Sequence, residues 1–177
     1  MCAVAPRIVI VRGDITRQDA DVIVNAANTA MRPGGGVDGA ITRAAGAHAL
    51  ADRRRVAAGR GIPPLPTGEA VATIGGDLEA RWIVHVAGPV YAGRPDDAVL
   101  LAACHTNALR VADELGAHTV AFPAVSTGIY GYPVSEAAPV AVAAVREAPT
   151  AVEEVRFVVF DEAAHAAFSE AVEAPEV

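Results

Sequence analysis

The chain has 177 residues, 53% of them hydrophobic, and a formal net charge of −7 from 21 acidic and 14 basic side chains. This length suits one well-buried α/β core and is short for two, so a single domain over residues 1–177 is expected, with its core at about 7–173. The acidic balance argues against binding a nucleic-acid backbone, whose affinity rests on cations that neutralise phosphates; every basic residue is arginine, which excludes lysine nucleophiles and Schiff bases.

Arg7–Arg12 is an apolar, β-branched run that predicts the first strand. It ends at Gly13 and Asp14, an aspartate suited to a turn or cap, or to accepting a hydrogen bond from a ligand amine. Asp21–Asn25 predicts the second strand, and a long loop follows it to Gly39. In that loop Asn25 and Asn28 can tie backbone together through their amides or contact a ligand. Gly34, Gly35 and Gly36 precede a helix predicted over Asp38–Ala58. Consecutive glycines let several amide N–H groups point at one anion, and the helix start adds partial positive charge. A glycine run by itself is more often just a turn. Asp38 reads as the N-cap of this helix, or as a carboxylate at the mouth of an anion pocket that orients or deprotonates a water; the roles are compatible. Arg53, Arg54 and Arg55 read as a solvated helix face.

A proline-bearing turn from Gly59 to Gly68 leads to strands at Ala70–Gly75 and Trp82–Ala87. His85, inside the latter, reads as a core histidine with its hydrogen bonds satisfied. A helix over Asp97–Leu115 and a strand over Thr119–Pro123 come next. The second glycine-bearing loop, Ser126 to Pro133, precedes a helix over Ser135–Ala148, with Ser135 as its N-cap. Val155–Phe160 and Glu162–Val172 predict the last strand and helix. Phe160, at the strand's carboxyl end, is either core or a platform for a flat base. Continuous apolar strands alternating with Ala-rich helices are the pattern of a layered α/β domain. In such sheets ligands bind outside the carboxyl ends of the strands.

Several chemistries lack their motifs. Gly34–Gly39 does not have the G-x-G-x-x-G spacing, no P-loop is present, and Ser126 has no nucleophile elbow around it. The remaining histidines are scattered without metal-ligand spacing, so neither metal nor cofactor is expected. Cys2 and Cys104 stand far apart and fit a reducing cytoplasm better than a disulfide framework. No apolar run approaches the roughly 20 residues of a membrane span, and the first residues lack the pattern of a secretory leader. The expected location is therefore cytoplasmic, with no membrane partner. The Arg, Ala, Pro and Gly bias suggests a bacterial, GC-rich genome.

In combination the motifs are far more specific than singly. GDIT (Gly13–Thr16), DVIVNAAN (Asp21–Asn28), GGGVDGAI (Gly34–Ile41), PTGEA (Pro66–Ala70), IVHVAGP (Ile83–Pro89) and FPAVSTGIYGYP (Phe122–Pro133) follow in an order that resembles the macrodomain family. More narrowly they resemble its MacroD-type branch, which removes mono-ADP-ribose. The resemblance covers almost the whole chain. It implies a three-layer α/β/α fold around a mixed six-stranded sheet, in a monomer. Carried over residue by residue, it implies that Asp14 accepts from the adenine amine, that the Ile15 backbone contacts the ring, and that Phe160 stacks on it. Gly35, Gly36 and Val37, with Ser126, Gly128, Ile129 and Tyr130, would hold the diphosphate largely through backbone N–H groups. Asn28 and Asp38 would lie beside the distal ribose as the catalytic residues.

The activity implied is hydrolysis of the ester that joins mono-ADP-ribose to Asp or Glu side chains, with O-acetyl-ADP-ribose deacetylation as a second use of the site. ADP-ribose and mono-ADP-ribosylated proteins are then the partners. The alternatives are a module that binds ADP-ribose without turning it over and a phosphatase acting on ADP-ribose 1″-phosphate. The chain departs from the branch at Thr42, where a supporting histidine is usual. It departs again over residues 47–66, which lack the usual cysteine-containing pattern. The paired glutamates of the branch that cuts poly-ADP-ribose chains are missing, and the absence of lysine excludes the branch that uses a catalytic lysine.

Overall fold

The structure, a computed structural model, describes residues 4–176; Cys2 lies outside them. Six strands form one mixed sheet: β1 (Arg7–Arg12), β2 (Val22–Ala27), β3 (Ala70–Ile74), β4 (Trp82–Ala87), β5 (Thr119–Phe122) and β6 (Glu154–Val159). Their order is β1-β6-β5-β2-β4-β3. All neighbours are parallel except β3, which closes one edge antiparallel to β4. The helices are α1 (Gly36–Ala58), α2 (Pro95–Glu114), α3 (Val134–Glu147) and α4 (Glu162–Glu173).

Successive strand residues face opposite sides of the sheet, and the core divides accordingly. Val22, Val24, Val84, Val86, Val120, Phe122, Val155 and Phe157 pack on one face with α2, α3 and α4. Ile23, Ile83, Ala121 and Val158 pack on the other with Ile15, Ile41 and Ala45. The three-layer α/β/α arrangement expected from the sequence is the one observed. Among the described residues no helix is long and apolar enough to cross a membrane.

Two expected caps are corrected. The N-cap of α1 is Gly35, in extended conformation, so the helix begins at Gly36 and Asp38 sits in its first turn. The N-cap of α3 is Pro133, which leaves Ser135 in the first turn. Neither side chain is needed where the chain enters its helix from a glycine or proline already in extended geometry.

α1 is not continuous. Gly46 has φ 83° and ψ −173°, and two helical segments meet there across a kink. The first segment packs on Ile23 and Ile83. The second carries Val56 and Ala57 against Ala27, Met31 and Leu65.

α2 buries two side chains with chemistry of their own. Cys104 donates to the Ala87 carbonyl at 3.4 Å, and burial pushes its thiol up to about 12, so it is unreactive as a nucleophile. His105 donates from Nδ1 to the Leu101 carbonyl at 2.8 Å and lies against Phe122 and Phe157. Its Nε2 is buried without a partner among the described residues, and burial lowers its pKa to about 4. Below pH 6.5 the unfolded chain takes up a proton at this histidine that the folded chain refuses until about pH 4, so stability falls as pH falls through that window. His105→Leu is of similar volume. It is expected to keep stability at pH 7 and to make the decline toward pH 4.5 shallower by on the order of 2 kcal/mol, measured by urea unfolding at the two pH values.

Candidate active site

β2 and β5 are parallel neighbours, with Val22 opposite Val120 and Ile23 opposite Ala121. The loops that leave their carboxyl ends therefore meet. Between them lies a cleft of about 240 Å³, lined by Asn28, Gly34, Gly35, Gly36, Val37 and Asp38 from one side and by Pro123, Ala124, Ser126, Gly128, Ile129 and Tyr130 from the other. No lysine or arginine lines it.

What the walls offer instead is backbone. The first turn of a helix leaves its amides without intrahelical acceptors, which at α1 are those of Gly36, Val37 and Asp38. Gly36 enters the helix with φ 57°, a value that a side chain would strain, and it lines the cleft with Val37 and Asp38. On the facing loop the chain tightens through Tyr132 N–H to the Ser126 carbonyl at 2.9 Å and Gly131 N–H to the Gly128 carbonyl at 3.0 Å. The amides of Gly128, Ile129 and Tyr130 donate to nothing among the described residues. Ser126 itself has φ 67°, uncommon outside glycine, and its Oγ is buried without a partner among the described residues. Gly88 is required beneath it, since a Cβ there would fall 2.2 Å from that Oγ.

Asp38 is only 4% exposed. Its Oδ1 accepts from Asn25 Nδ2 at 3.1 Å, Thr42 Oγ1 at 3.2 Å and Arg53 Nη1 at 2.5 Å, and its Oδ2 accepts from Arg53 Nη2 at 2.9 Å. Burial pushes the carboxyl upward, but the hydrogen bonds and charge of Arg53, with Asn25 and Thr42, outweigh it and hold the pKa below the ordinary carboxylate value. Asn28 uses its amide on the loop backbone: Nδ2 donates to the Arg32 carbonyl at 2.7 Å, and Oδ1 accepts from Arg32 N–H at 3.1 Å. A Cβ on Gly34 would stand 3.6 Å from Asp38 Oδ2 and 3.8 Å from Asn28 Nδ2, so the two groups converge on one glycine of the cleft wall.

Behind Asp38 a buried polar chain crosses the sheet. Asn25 Nδ2 lies 3.0 Å from His85 Nδ1, and His85 Nε2 lies 2.8 Å from Thr73 Oγ1. Because the Asn25 amide donates to a carboxylate, its orientation is set. His85 Nδ1 must then accept, and Nε2 carries the proton. Burial, aided by the Arg53 charge, lowers the His85 pKa to about 3, so the ring is neutral. The expectation of a satisfied core histidine holds for His85.

The outer residues of the expected site lie along the same sheet edge. Asp14 follows β1 and caps a short 3-10 turn, its Oδ1 accepting from Thr16 N–H at 2.9 Å and from the Thr16 hydroxyl at 2.7 Å. These bonds hold its pKa low. Ile15 is buried beneath the turn. Phe160 follows β6, the neighbour of β1, and is 65% exposed. Among the described residues no three His, Cys, Asp or Glu side chains gather closely enough to hold a metal ion.

A family model described as the Macro domain matches residues 24–141. The chain belongs to the macro domain family. A macro domain-containing protein of Streptomyces nogalater is 56% identical over 162 residues, covering 92% of this chain and 90% of that protein. A relative from Enterobacter cloacae, named O-acetyl-ADP-ribose deacetylase, is 45% identical over 164 residues, covering 89% of this chain and 88% of that protein. Among solved structures, a Trypanosoma brucei macrodomain in complex with ADP-ribose superposes with a TM-score of 0.83 at 36% identity, over 94% of this macro domain and 69% of that chain.

Within this macro domain one expectation is overturned. Arg53 is 3% exposed and inside the site, whereas Arg54 and Arg55 are exposed as expected. Over the 15 positions that separate them, an unbroken helix would carry Arg53 about 22 Å from Asp38. The break at Gly46 brings it back. Asn25 also departs from expectation: it reaches Asp38 and His85 rather than loop backbone. A glycine inside a predicted helix was the one available signal for Arg53.

Proposed function

We propose that this macro domain binds ADP-ribose across the two-loop cleft and hydrolyses the ester joining the distal ribose to an Asp or Glu side chain, as the MacroD-type branch does. O-acetyl-ADP-ribose carries an ester on the same sugar and is a second substrate. The observation that carries the binding half is the pair of facing amide runs, Gly36 to Asp38 and Gly128 to Tyr130, in a cleft without a cation. Such concavities hold phosphate by aligned N–H groups. The ADP-ribose complex of the Trypanosoma brucei relative supports the same ligand, and the name of the Enterobacter cloacae relative supports ester cleavage on it.

A cleft of about 240 Å³ is smaller than the roughly 300–1,000 Å³ of pockets that enclose such ligands. It suits the diphosphate and distal ribose, leaving the adenine to the outer surface between Asp14 and Phe160. The Oδ2 of Asp14 is free of close hydrogen bonds, its one partner being Arg17 at 3.7 Å, and can accept the adenine amine.

In the hydrolytic step water gives its hydroxyl to the acyl carbon and its proton to the departing ribose oxygen, releasing ADP-ribose and a carboxylic acid that then loses its proton to solvent. Asp38 is a weak base because its pKa is held low; efficient proton acceptors have a pKa near the working pH. Its contribution is to orient the water or sugar hydroxyl from Oδ2, and the ligand's own phosphate relays the proton. Positioning of this kind is sufficient for an ester to react at a useful rate.

One observation favours a second reading, a binding module without turnover: both Asp38 oxygens are already bonded to Arg53. Incubation with a protein mono-ADP-ribosylated on glutamate separates the two. Release of the label supports the hydrolase; label retained while ADP-ribose still binds supports the module. Gly128→Glu tests the cleft itself. A Cβ at Gly128 meets nothing within 4 Å, so the fold tolerates the change. The added carboxylate enters the diphosphate site and is expected to weaken ADP-ribose by at least about a hundredfold in calorimetry. Unchanged affinity in a folded variant would sink the two-loop site.

A further inference from the structure

Arg53 does more than neutralise a buried acid. A guanidinium has five N–H donors, and the bonds of Arg53 account for all of them. Nε donates to the Met31 carbonyl at 2.9 Å. Nη1 donates to Asp38 Oδ1 at 2.5 Å and to Thr42 Oγ1 at 3.3 Å. Nη2 donates to Asp38 Oδ2 at 2.9 Å and to the Arg32 carbonyl at 3.2 Å. The Arg32 carbonyl is also the acceptor of Asn28 Nδ2. One side chain from the second segment of α1 thus holds the start of α1 through Asp38 and Thr42, and the loop after β2 through Met31 and Arg32.

We propose that Arg53 is the positioning residue of this site, its planar fork fixing Asp38 directly and Asn28 through the Arg32 carbonyl, so that Asp38 Oδ2 orients the distal ribose or its attacking water. The proposal rests on the hydrolase reading for what is oriented, though not for the clamp. Its geometry explains the occupied and open faces of the carboxylate. Oδ1 takes three donors and Oδ2 takes Arg53 alone, on the side nearest Gly34 and the cleft wall. Thr42 belongs to the same device: its short side chain leaves room for a guanidinium and supplies it with an acceptor.

The groups that face this pair from the packed elements are Asn25 of β2, His85 of β4, Thr73 of β3 through His85, and Asp52 beside Arg53 on α1. Arg32 presents its main-chain carbonyl and is itself exposed. His85 is neutral down to about pH 3, so among the described residues it is Arg53 that supplies the positive charge and, with Asn25 and Thr42, the hydrogen bonds that hold the Asp38 carboxyl low. Removing the fork therefore moves the ionisation of Asp38 upward, and a fall in kcat larger than the loss of ADP-ribose affinity is the readout that a merely structural role would not give.

Arg53→Lys keeps a cation without the planar fork, and Arg53→Met removes both. In each, kcat is expected to fall on the order of a hundredfold and ADP-ribose affinity by much less, because the amides of Gly128, Ile129 and Tyr130 lie on the facing loop, which Arg53 does not touch. The acid limb of the pH–kcat profile is expected to move to higher pH. A loss of affinity as large as the loss of kcat, or an acid limb that stays in place, would overturn the proposal. If Arg53→Met does not fold, Arg53→Lys carries the same test. If the wild type turns nothing over, the hydrolase reading fails alone, and ¹³C titration of the Asp38 carboxyl decides the clamp. A pKa raised in the variants supports it, and one unchanged from the wild type overturns it.

Discussion

Asp38→Ala is expected to destabilise the protein by about 3–5 kcal/mol, because it leaves the Arg53 guanidinium buried without its counter-charge. The same change removes the only carboxylate that lines the cleft among the described residues, so turnover is expected to vanish with it. Lost activity in this variant alone would therefore be ambiguous between a damaged fold and missing chemistry. The double change Asp38→Ala with Arg53→Met separates them. With both charges gone the desolvated cation disappears, and most of the lost stability is expected to return. Ester hydrolysis is not. Denaturant unfolding measured beside turnover for the single and double variants checks both statements. A double variant that loses as much stability as the two single variants together would mean that the pair is not coupled, and a double variant as fast as the wild type would remove Asp38 from the chemistry. The wild-type pair also carries a pH signature. Because the folded pKa of Asp38 is depressed, its contribution is complete above the ordinary carboxylate pKa and is lost only as pH falls through the lower folded value.

Gly46→Val has the second large effect. At φ 83° and ψ −173° this residue occupies a region that is essentially restricted to glycine, and a Cβ there would also fall 2.4 Å from the Asp77 carboxylate. The strain is expected to cost about 2–4 kcal/mol. The functional consequence is more specific than the loss of stability. The chain at Gly46 determines where the second segment of α1 runs, and with it whether Arg53 reaches Asp38. Turnover is expected to fall further than ADP-ribose affinity, because the diphosphate amides at Gly36 and Gly128 lie outside that segment. Thermal unfolding with calorimetric binding and a hydrolysis assay test this together. A variant that loses binding and turnover equally would show that the kink serves the fold alone.

These two residues also mark the limit of what was readable from local pattern. The strands at Arg7–Arg12 and Trp82–Ala87 agree with the observed ones end to end, and the rest differ by a residue or two at their ends. Buried parallel strands are continuous apolar runs bounded by turn residues, and that signal is local. The two glycine loops were equally visible, and their meeting in one cleft follows from β2 lying beside β5. The helix caps were misplaced because Asp and Ser near a helix start are common caps. Here extended Gly35 and Pro133 begin the helices instead.

From residue order alone came the layered α/β architecture and the two loops rich in backbone amides. Those features depend on residue type and on spacing within a few positions, which the chain carries explicitly. Only the tertiary structure decided the state of Asp38. Arg53 stands among three arginines in a stretch with helical pattern, and nothing local distinguishes it from its exposed neighbours Arg54 and Arg55. A single glycine with a backbone angle closed to other residues returns it across 15 positions. There its five donors find carbonyls, a hydroxyl and a carboxylate that come from separate elements. Burial and bidentate pairing then make Asp38 a weakly basic carboxylate, because both depend on distances through space rather than along the chain.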